Sequence, residues 1–287
     1  MTVRCPVDTN NSCSRVNKNI NFTAIVVTYN EDRRLKDCLG SLHFCNQIIV
    51  ADLGSSDSSV DIAKELGTEV FHVEKMPVVE QVHVKVIENA RNDWVILSDP
   101  DEVMPDGIEN DLRFLISNES SLGLIYVPLQ HYFKGKQLSC TIWGSNKLAK
   151  PLVLHKSRNV FGGKVHSGTH LINGFSSVVL LRRHDNYIKH YWIDSYRQLF
   201  EKHWRYIGKE GESKYSRGER FSVHRLFSAT IIAFKHNLIS CNGYRNVTGI
   251  FLSLFYSWYV LMGILSLRQY QKDVQKIQNS AQDNRSI

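Results

Sequence analysis

Three acidic side chains stand close together in the first half of the chain. Asp99, Asp101 and Glu102 follow the apolar run Trp94–Leu97 and are held by Pro100. Carboxylates this close repel one another unless a cation lies between them. Mg²⁺ and Mn²⁺ accept one or two carboxylates and take substrate phosphates as further ligands. The cluster therefore predicts a divalent metal site that meets a phosphorylated ligand, and a solvated acidic turn is the simpler alternative.

Two further polar segments follow apolar, β-branched runs earlier in the chain. The run Phe22–Tyr29 leads into Asn30-Glu-Asp32, and Gln47–Asp52 leads into Leu-Gly-Ser-Ser-Asp57. Runs of this composition are typical of buried strands. All three polar segments are therefore predicted at the carboxyl ends of strands.

Strands and helices alternate along the first hundred residues. Apolar residues at helical spacing predict helices after residue 32, around 62–66 and around 82–90, with further strands at 68–73 and 94–98. Such alternation with short links predicts an α/β fold, a Rossmann-like and mostly parallel sheet with helices on both faces. Ligands of such sheets bind beyond the carboxyl ends of the strands. We therefore expect the three polar segments along one edge.

Charge is unevenly distributed along the 287 residues. Residues 1–150 contain 15 Lys and Arg against 20 Asp and Glu, whereas residues 151–287 contain 20 against 8. The basic half could meet nucleic acid, an anionic membrane or a phosphorylated substrate. No nucleic-acid-binding module is recognisable, so nucleic acid is not an expected partner.

The cysteines and the first twenty residues give evidence on the cellular compartment of the protein. None of the six cysteines forms a Cys-x-x-Cys pair or a zinc spacing, which favours free thiols in a reducing cytoplasm. Residues 1–20 are rich in Asn, Ser and charge, without an apolar run, and are predicted to be a flexible tail.

The three polar segments together resemble the successive motifs of family 2 glycosyltransferases. Thr28-Tyr-Asn-Glu31, Asp52-x-Gly-Ser-Ser-Asp57 and Asp93-Trp-Val-Ile-Leu-Ser-Asp-Pro-Asp-Glu102 occur in that order over roughly residues 22–130. The resemblance implies the GT-A fold and transfer of a sugar from a nucleotide-sugar donor, as a hexosyltransferase-type enzyme that depends on Mg²⁺ or Mn²⁺.

The resemblance also implies a role for each motif residue. Thr28, Tyr29 and Glu31 would line the nucleotide pocket, and Asp52 would hydrogen-bond the base. Catalytic roles fall to Asp99 near the ribose or donor sugar, to Asp101 on the metal that holds the diphosphate, and to the adjacent Glu102. Turn formation around Gly54 is the structural alternative for Asp52 and Asp57.

The residue after His166 departs from the pattern of relatives. These often read Val-His-Glu, whereas this chain reads Val165-His166-Ser167. An inverting transferase needs a base for the acceptor hydroxyl, usually a carboxylate. His166 is predicted to complete the metal site or to act beside it, with a packed or exposed histidine as the alternative. The catalytic base is left unassigned.

The last third of the chain is predicted to be helical and basic. One helix is expected after Asp194 as its cap, a second at about 221–238, and Val247–Leu267 is a run without charge before Arg268. That run is long enough to span a bilayer, but an in-plane or packed helix is favoured by its aromatic and basic flanks. Gly243-Tyr-Arg-Asn-Val247 resembles a Gly-Tyr/Phe-Arg-Asp-Gly turn of the lipopolysaccharide-core branch, with two positions changed.

These observations define three regions and two functional hypotheses. The regions are a tail at 1–20, a GT-A domain at 21–190 and a helical, basic part at 191–287. The favoured hypothesis is an inverting glycosyltransferase, peripheral on the cytoplasmic face of an anionic membrane, that glycosylates a glycan or glycolipid such as lipopolysaccharide core. The alternative is a catalytically silent nucleotide-sugar-binding or scaffold protein.

Overall fold

The computed structural model describes residues 2–4, 19–76, 79–145, 147–161, 169–183 and 185–283. The strands in chain order are β1 (Thr2–Arg4), β2 (Phe22–Thr28), β3 (Gln47–Asp52), β4 (Glu69–His72), β5 (Trp94–Ser98), β6 (Glu102–Val103), β7 (Leu122–Phe133), β8 (Lys136–Gln137), β9 (Ala149–His155), β10 (Asn159–Phe161), β11 (Thr169–Leu171), β12 (Ser176–Leu180) and β13 (Ile188–Ile193). The α-helices are α1 (Asp32–Ser41), α2 (Ser59–Glu65), α3 (Val79–Val86), α4 (Ile108–Asn118), α5 (Tyr196–Ser216), α6 (Val223–Lys235) and α7 (Val247–Asp283).

The chain forms two compact units. The first contains Met1–Gln130 and Asn146–Tyr191, and the second contains His131–Ser145 and Trp192–Ile287. Within the segment predicted as a tail, Thr2–Arg4 forms β1, which pairs in parallel with β12. The remaining residues of that tail up to 18 lie outside the described residues.

The sheet of the first unit has the order β1-β12-β7-β9-β5-β2-β3-β4. Neighbouring strands from β5 to β4 are parallel, because α1, α2 and α3 return the chain to the same edge each time. Beyond β5 the sheet is mixed, since β9 runs antiparallel to both β5 and β7. The predicted α/β fold with helices on both faces is confirmed, and the antiparallel β9 is the addition that the sequence pattern did not indicate.

The core of this unit is built on both faces of β2. Alternate residues point to opposite faces of a strand, so Ala24 and Val26 join one apolar cluster and Ile25 joins the other. Leu35 of α1 packs into the first cluster and Val82 of α3 into the second, all at 0% exposure. Each such side chain contributes about 1.5–3 kcal/mol by leaving water. This double burial holds the carboxyl end of β2 in a fixed place.

Helices α5, α6 and α7 dominate the second unit. The Oγ atom of Ser195 accepts a hydrogen bond from the backbone N–H of Gln198, so Ser195 caps α5. The expectation that Asp194 caps this helix is wrong, because Asp194 lies one residue outside it and donates its backbone N–H to the side chain of Gln198. Ser222 caps α6 in the same way, through the backbone N–H of Arg225.

The long helix α7 is the one described helix that is long and apolar enough to cross a membrane, judged by length and composition. Its most apolar stretch has a mean hydropathy of 1.9, and 39% of that stretch is buried inside the protein. Leu252, Phe255 and Leu267 are buried against the neighbouring elements. Part of the apolar surface of α7 is therefore packed inside the protein, and the larger part is not.

Two glycines on α5 give a matched test of how tightly α5 packs on α7. A Cβ atom on Gly211 would lie 2.5 Å from the backbone oxygen of Ser266, whereas one on Gly208 would meet nothing within 4 Å. Gly211→Ala is therefore expected to lower the free energy of unfolding by about 1–3 kcal/mol. Gly208→Ala is expected to raise it by up to about 1 kcal/mol through helix propensity. Urea unfolding of both variants tests the pair, and equal effects would contradict the close approach.

Candidate active site

The loops after β2 and β3 are tied together by hydrogen bonds. The side-chain oxygen of Asn30 accepts from the backbone N–H of Ser56 at 2.8 Å, and the Oγ of Ser55 accepts from the backbone N–H of Asn30 at 3.0 Å. An Asp57 oxygen accepts from the backbone N–H of Asp32 at 3.0 Å. Asn30 has a φ of 56°, a left-handed conformation that asparagine tolerates. Two of the three polar segments thus form one connected rim.

Asp52 ends β3 with its side chain only 1% exposed. Its carboxylate accepts from the backbone N–H groups of Gly54 at 3.1 Å and Ser55 at 3.0 Å, and contacts Nδ1 of His72 at 3.1 Å. Burial raises the pKa of Asp52, but the hydrogen bonds from Ser55, His72 and Gly54 outweigh it and lower the pKa. The carboxylate therefore stays ionised and shapes this turn, as the structural alternative for this residue proposed. Its role toward a base stays a prediction.

The end of β2 presents one exposed and one buried side chain. Tyr29 is 43% exposed, and the ammonium of Lys75 lies 3.4 Å from the centre of its ring. Thr28 is buried, and its Oγ1 has no hydrogen-bond partner among the described residues. The exposed aromatic ring of Tyr29 suits contact with a planar ligand.

The acidic segment after β5 is neutralised from within the chain. The ammonium of Lys150 lies 2.7 Å from an oxygen of Asp99 and 2.7 Å from an oxygen of Glu102. The Glu102 side chain is fully buried, and the same oxygen accepts from the backbone N–H of Asp99 at 3.1 Å. The cation between these two carboxylates is thus a lysine of β9.

The charges of this cluster follow from burial and contact. Burial favours neutral Lys150, but Asp99 and Glu102 outweigh it and raise the pKa of Lys150. Burial likewise raises the pKa of Asp99, and Lys150 reverses this and lowers it to about 2. Burial and the adjacent Asp99 raise the pKa of Glu102 although Lys150 opposes them. Asp99 and Lys150 therefore form the ionised pair, with Glu102 as its buried neighbour.

Asp101 has a separate partner. Nε2 of His190 lies 3.2 Å from its carboxylate, and the backbone oxygen of Asp101 accepts from the N–H of Tyr191 at 2.8 Å. These contacts follow from the antiparallel pairing of β6 with β13, which aligns Glu102 with His190. Burial lowers the pKa of His190, and the hydrogen bond and charge of Asp101 overcome this and raise it. Each acid of the segment therefore has a basic partner.

The residues present suit a metal that arrives with a phosphorylated ligand. Among the described residues, no three His, Cys, Asp or Glu side chains converge on one point as a metal cage requires. Mg²⁺ is commonly held by one or two carboxylates together with substrate phosphates. The Asp101 side chain is 21% exposed, and the second oxygen of Glu102 is buried with no hydrogen-bond partner in the part of the chain that the structure describes. Predicted ligand His166 lies outside the described residues.

Lys150 and His190 are the site residues that the sequence did not indicate. Lys150 precedes the apolar run Leu152-Val-Leu154 of β9, and His190 lies between Lys189 and Tyr191 in β13. In sequence, one charged or titratable residue in a buried strand is weak evidence for a functional site. The pairing of β9 with β5 and of β13 with β6 is what brings Lys150 and His190 to the acidic segment.

Comparison with known proteins establishes the family. The model of glycosyl transferase family 2 matches residues 23–166, half of the chain. Uncharacterized glycosyltransferases of Rickettsia typhi and Rickettsia prowazekii are each 25% identical over 224 residues, covering 73% and 74% of this chain and the same share of each relative. The chain belongs to glycosyltransferase family 2.

Two solved structures are similar to this chain at low sequence identity. The structure of S. aureus TarS 1-349 has 12% identity and a TM-score of 0.46, with coverage of 88% of this chain and 92% of that one. Glucosyl-3-phosphoglycerate synthase from Mycobacterium tuberculosis, in complex with Mn²⁺ and uridine diphosphate, has 16% identity and a TM-score of 0.32. That match covers 42% of this chain and 46% of the synthase, so this chain spans less than half of that relative's length.

Proposed function

We propose that this family 2 glycosyltransferase is an inverting, hexosyltransferase-type enzyme that moves a sugar from a nucleotide-sugar donor to a saccharide acceptor. The observation that supports this most directly is the meeting of two motif segments at the ends of β2 and β3, next to the acidic end of β5. Ligands of parallel sheets bind at this edge. The donor would lie there with its base toward Asp52.

The residues at this edge have distinct roles in the proposal. Tyr29 offers a ring face to the base, Thr28 and Glu31 border the pocket, and Asp52 accepts a hydrogen bond from the base. Asp101 would hold Mg²⁺ or Mn²⁺ on the diphosphate, with His166 as the further predicted ligand. The bound metal would neutralise charge on the leaving diphosphate. Asp99 would orient the sugar, and Lys150 keeps that carboxylate ionised and in place.

The acceptor in this proposal is a glycan or glycolipid at an anionic membrane surface, such as a lipopolysaccharide core. The support is chemical, since residues 151–287 carry 20 Lys and Arg against 8 Asp and Glu, and α7 contains an uncharged run. Basic side chains near a bilayer gain about 1 kcal/mol each from anionic headgroups. The protein would work from the cytoplasmic face as a peripheral enzyme.

A catalytically silent nucleotide-sugar-binding protein is the second candidate. Ser167 stands where relatives often have glutamate, and Lys150 holds both Asp99 and Glu102. A silent protein would bind the donor and leave it intact. Measuring turnover of a bound donor with and without acceptor separates the two candidates.

A donor screen tests the proposal. Nucleotide sugars are added with Mn²⁺, and the correct donor is expected to raise the melting temperature, since a ligand of the native state stabilises it by mass action. Asp52→Ala is expected to weaken donor binding by about 1.5–3 kcal/mol, because a hydrogen bond to the base is lost. The exposed Asp106→Ala is the control. A screen in which no nucleotide sugar shifts the transition contradicts the proposal.

A further inference from the structure

The three helices of the second unit leave large apolar side chains on their surface. On α6, Val223, Phe227 and Ile231 are 61%, 61% and 51% exposed. Their spacing of four residues places them within about 80° of one another around the helix. Contiguous apolar surface of this kind is uncommon on monomeric soluble proteins and marks an interaction site.

Helix α7 continues this surface. Val247, Ile250 and Leu254 are 82%, 42% and 55% exposed and follow the same helical periodicity. Helix α6 lies antiparallel to α7, because the hydroxyl of Ser257 donates to the backbone oxygen of Thr230 and the guanidinium of Arg268 lies over the Phe221 ring. Each residue of an α-helix is rotated by about 100° from the one before it. With α6 and α7 antiparallel and joined at Thr230 and Ser257, this rotation places the exposed apolar residues of α6 and those of α7 on the same side of the helix pair.

Helix α5 borders the other edge of the α7 stripe. Phe200 and Trp204 are 43% and 60% exposed, and Trp204 stacks on Trp258 of α7 with ring centres 6.2 Å apart. Phe200 contacts the same Trp258 ring at 5.4 Å. The three helices therefore share one apolar face, which is called the α5–α7 face below.

The charge around this face has a single sign along α6 and the first two thirds of α7. Residues 220–272 contain no Asp or Glu and six Lys and Arg. Lys235, Arg245 and Arg268 are exposed, and none belongs to an ion pair of the described residues. An apolar face with a basic rim and an exposed Trp204 side chain fits a bilayer interface with anionic headgroups. A second copy of the chain would place these cations against one another.

Charged side chains on the opposite side of α7 argue against a bilayer-spanning helix. The hydroxyl of Tyr259 donates to Glu210 at 2.8 Å, and Glu210 pairs with Lys214 at 3.1 Å. Lys214 also lies beside Gly263, within the uncharged run. A spanning α7 would take this ion pair into hydrocarbon or lose it, at a cost of several kcal/mol.

We propose that the second unit docks on anionic lipid headgroups through the α5–α7 face, with α7 lying in the plane of the membrane. This inference deepens the proposed function, since it names the surface by which the enzyme would reach a membrane-held acceptor. Apolar side chains enter the headgroup region, and Lys235, Arg245 and Arg268 meet the phosphates.

Flotation of the full chain with vesicles tests the docking. Binding is expected to vesicles of phosphatidylcholine with phosphatidylglycerol, to be weaker on phosphatidylcholine alone, and to fall at high salt. Ile231→Glu is expected to lower the affinity for anionic vesicles at least about tenfold. The substitution replaces an apolar side chain that enters the headgroup region with a negative charge that the anionic lipid repels. Ile232→Glu is the matched control, since Ile232 is 64% exposed but lies about 100° further round α6. It should change affinity less than about twofold.

Any of four outcomes overturns the docking inference. The first three are no binding to anionic vesicles, equal losses in the two isoleucine variants, and a wild-type dimer in light scattering that Ile231→Glu converts to a monomer without any vesicle binding. Retention that resists salt and alkaline carbonate but yields to detergent would show a spanning helix instead. The Mn²⁺-dependent donor shift is measured on the same variants. If the donor still raises the melting temperature of a chain that does not float with vesicles, the docking inference is refuted and the proposed function is not.

Discussion

Replacing Asp101 by alanine is expected to lower kcat/KM for sugar transfer by about a thousandfold or more, through loss of about 4 kcal/mol of transition-state stabilisation. Asp101 is the carboxylate of the acidic segment that Lys150 does not neutralise, and its side chain is partly exposed at 21%. In the proposed enzyme it holds the cation on the diphosphate. Its loss removes both the ligand and the anchor for the donor.

Calorimetry separates this role from a structural one. Wild-type protein is expected to bind UDP or GDP more tightly with Mn²⁺ than without, and Asp101→Ala should abolish that difference. Asp106→Ala, an exposed acid of the following loop, should keep both affinity and activity. His190→Gln removes the partner of Asp101 at 3.2 Å while leaving the carboxylate, so it should reduce metal-dependent affinity only in part. Unchanged Mn²⁺-dependent affinity in Asp101→Ala would refute the assignment.

Removing Lys150 is expected to cost about 3 kcal/mol of unfolding free energy. Lys150→Met leaves the buried Glu102 and the neighbouring Asp99 without their cation. Breaking a buried ion pair from one side is strongly destabilising, because the remaining charge is uncompensated. Glu102 can escape part of this cost by binding a proton, since burial already raises its pKa.

A double-mutant cycle identifies the cause. Glu102→Gln in the Lys150→Met background removes the buried acid, so the double variant should recover about 1–2 kcal/mol relative to Lys150→Met alone. Lys136→Met, an exposed lysine of β8, should change stability by less than about 0.5 kcal/mol. Guanidinium unfolding at neutral pH of the wild type, Lys150→Met, Glu102→Gln and the double variant completes the cycle, and Lys136→Met is measured beside them. An additive cycle would mean that Lys150 and Glu102 do not interact in solution.

Much of the first unit could be predicted from local sequence. The strands at residues 22–28, 47–52 and 94–98 lie within a residue of the predicted runs, because a strand buried on both faces needs a continuous apolar, β-branched segment. The positions of Asn30, Asp52 and Asp99 at strand ends follow from those strands. A parallel sheet then brings such ends to one edge, which is why a shared edge for these segments could be predicted before any contact was known.

The partners of the acidic segment were decided by tertiary structure. Lys150 is 51 residues from Asp99 and 48 from Glu102, and His190 is 89 residues from Asp101. These pairs depend on β9 entering the sheet antiparallel beside β5 and on β13 pairing with β6. Strand order and register over such separations arise from packing of the whole sheet, which short sequence patterns do not encode.

In the helical part, too, the sequence determined one property and the tertiary structure another. An uncharged run at 247–267 determines that α7 must hide apolar surface, and its aromatic and basic flanks favour an in-plane or packed helix over a span without choosing between those two. The tertiary structure places Glu210 and Lys214 against one side of α7 and leaves Val247, Ile250 and Leu254 exposed on another. Hydrophobicity is a property of the residues themselves and can be read from the sequence. Which side chains of a helix are buried and which stay exposed depends on the neighbouring helices that pack around it.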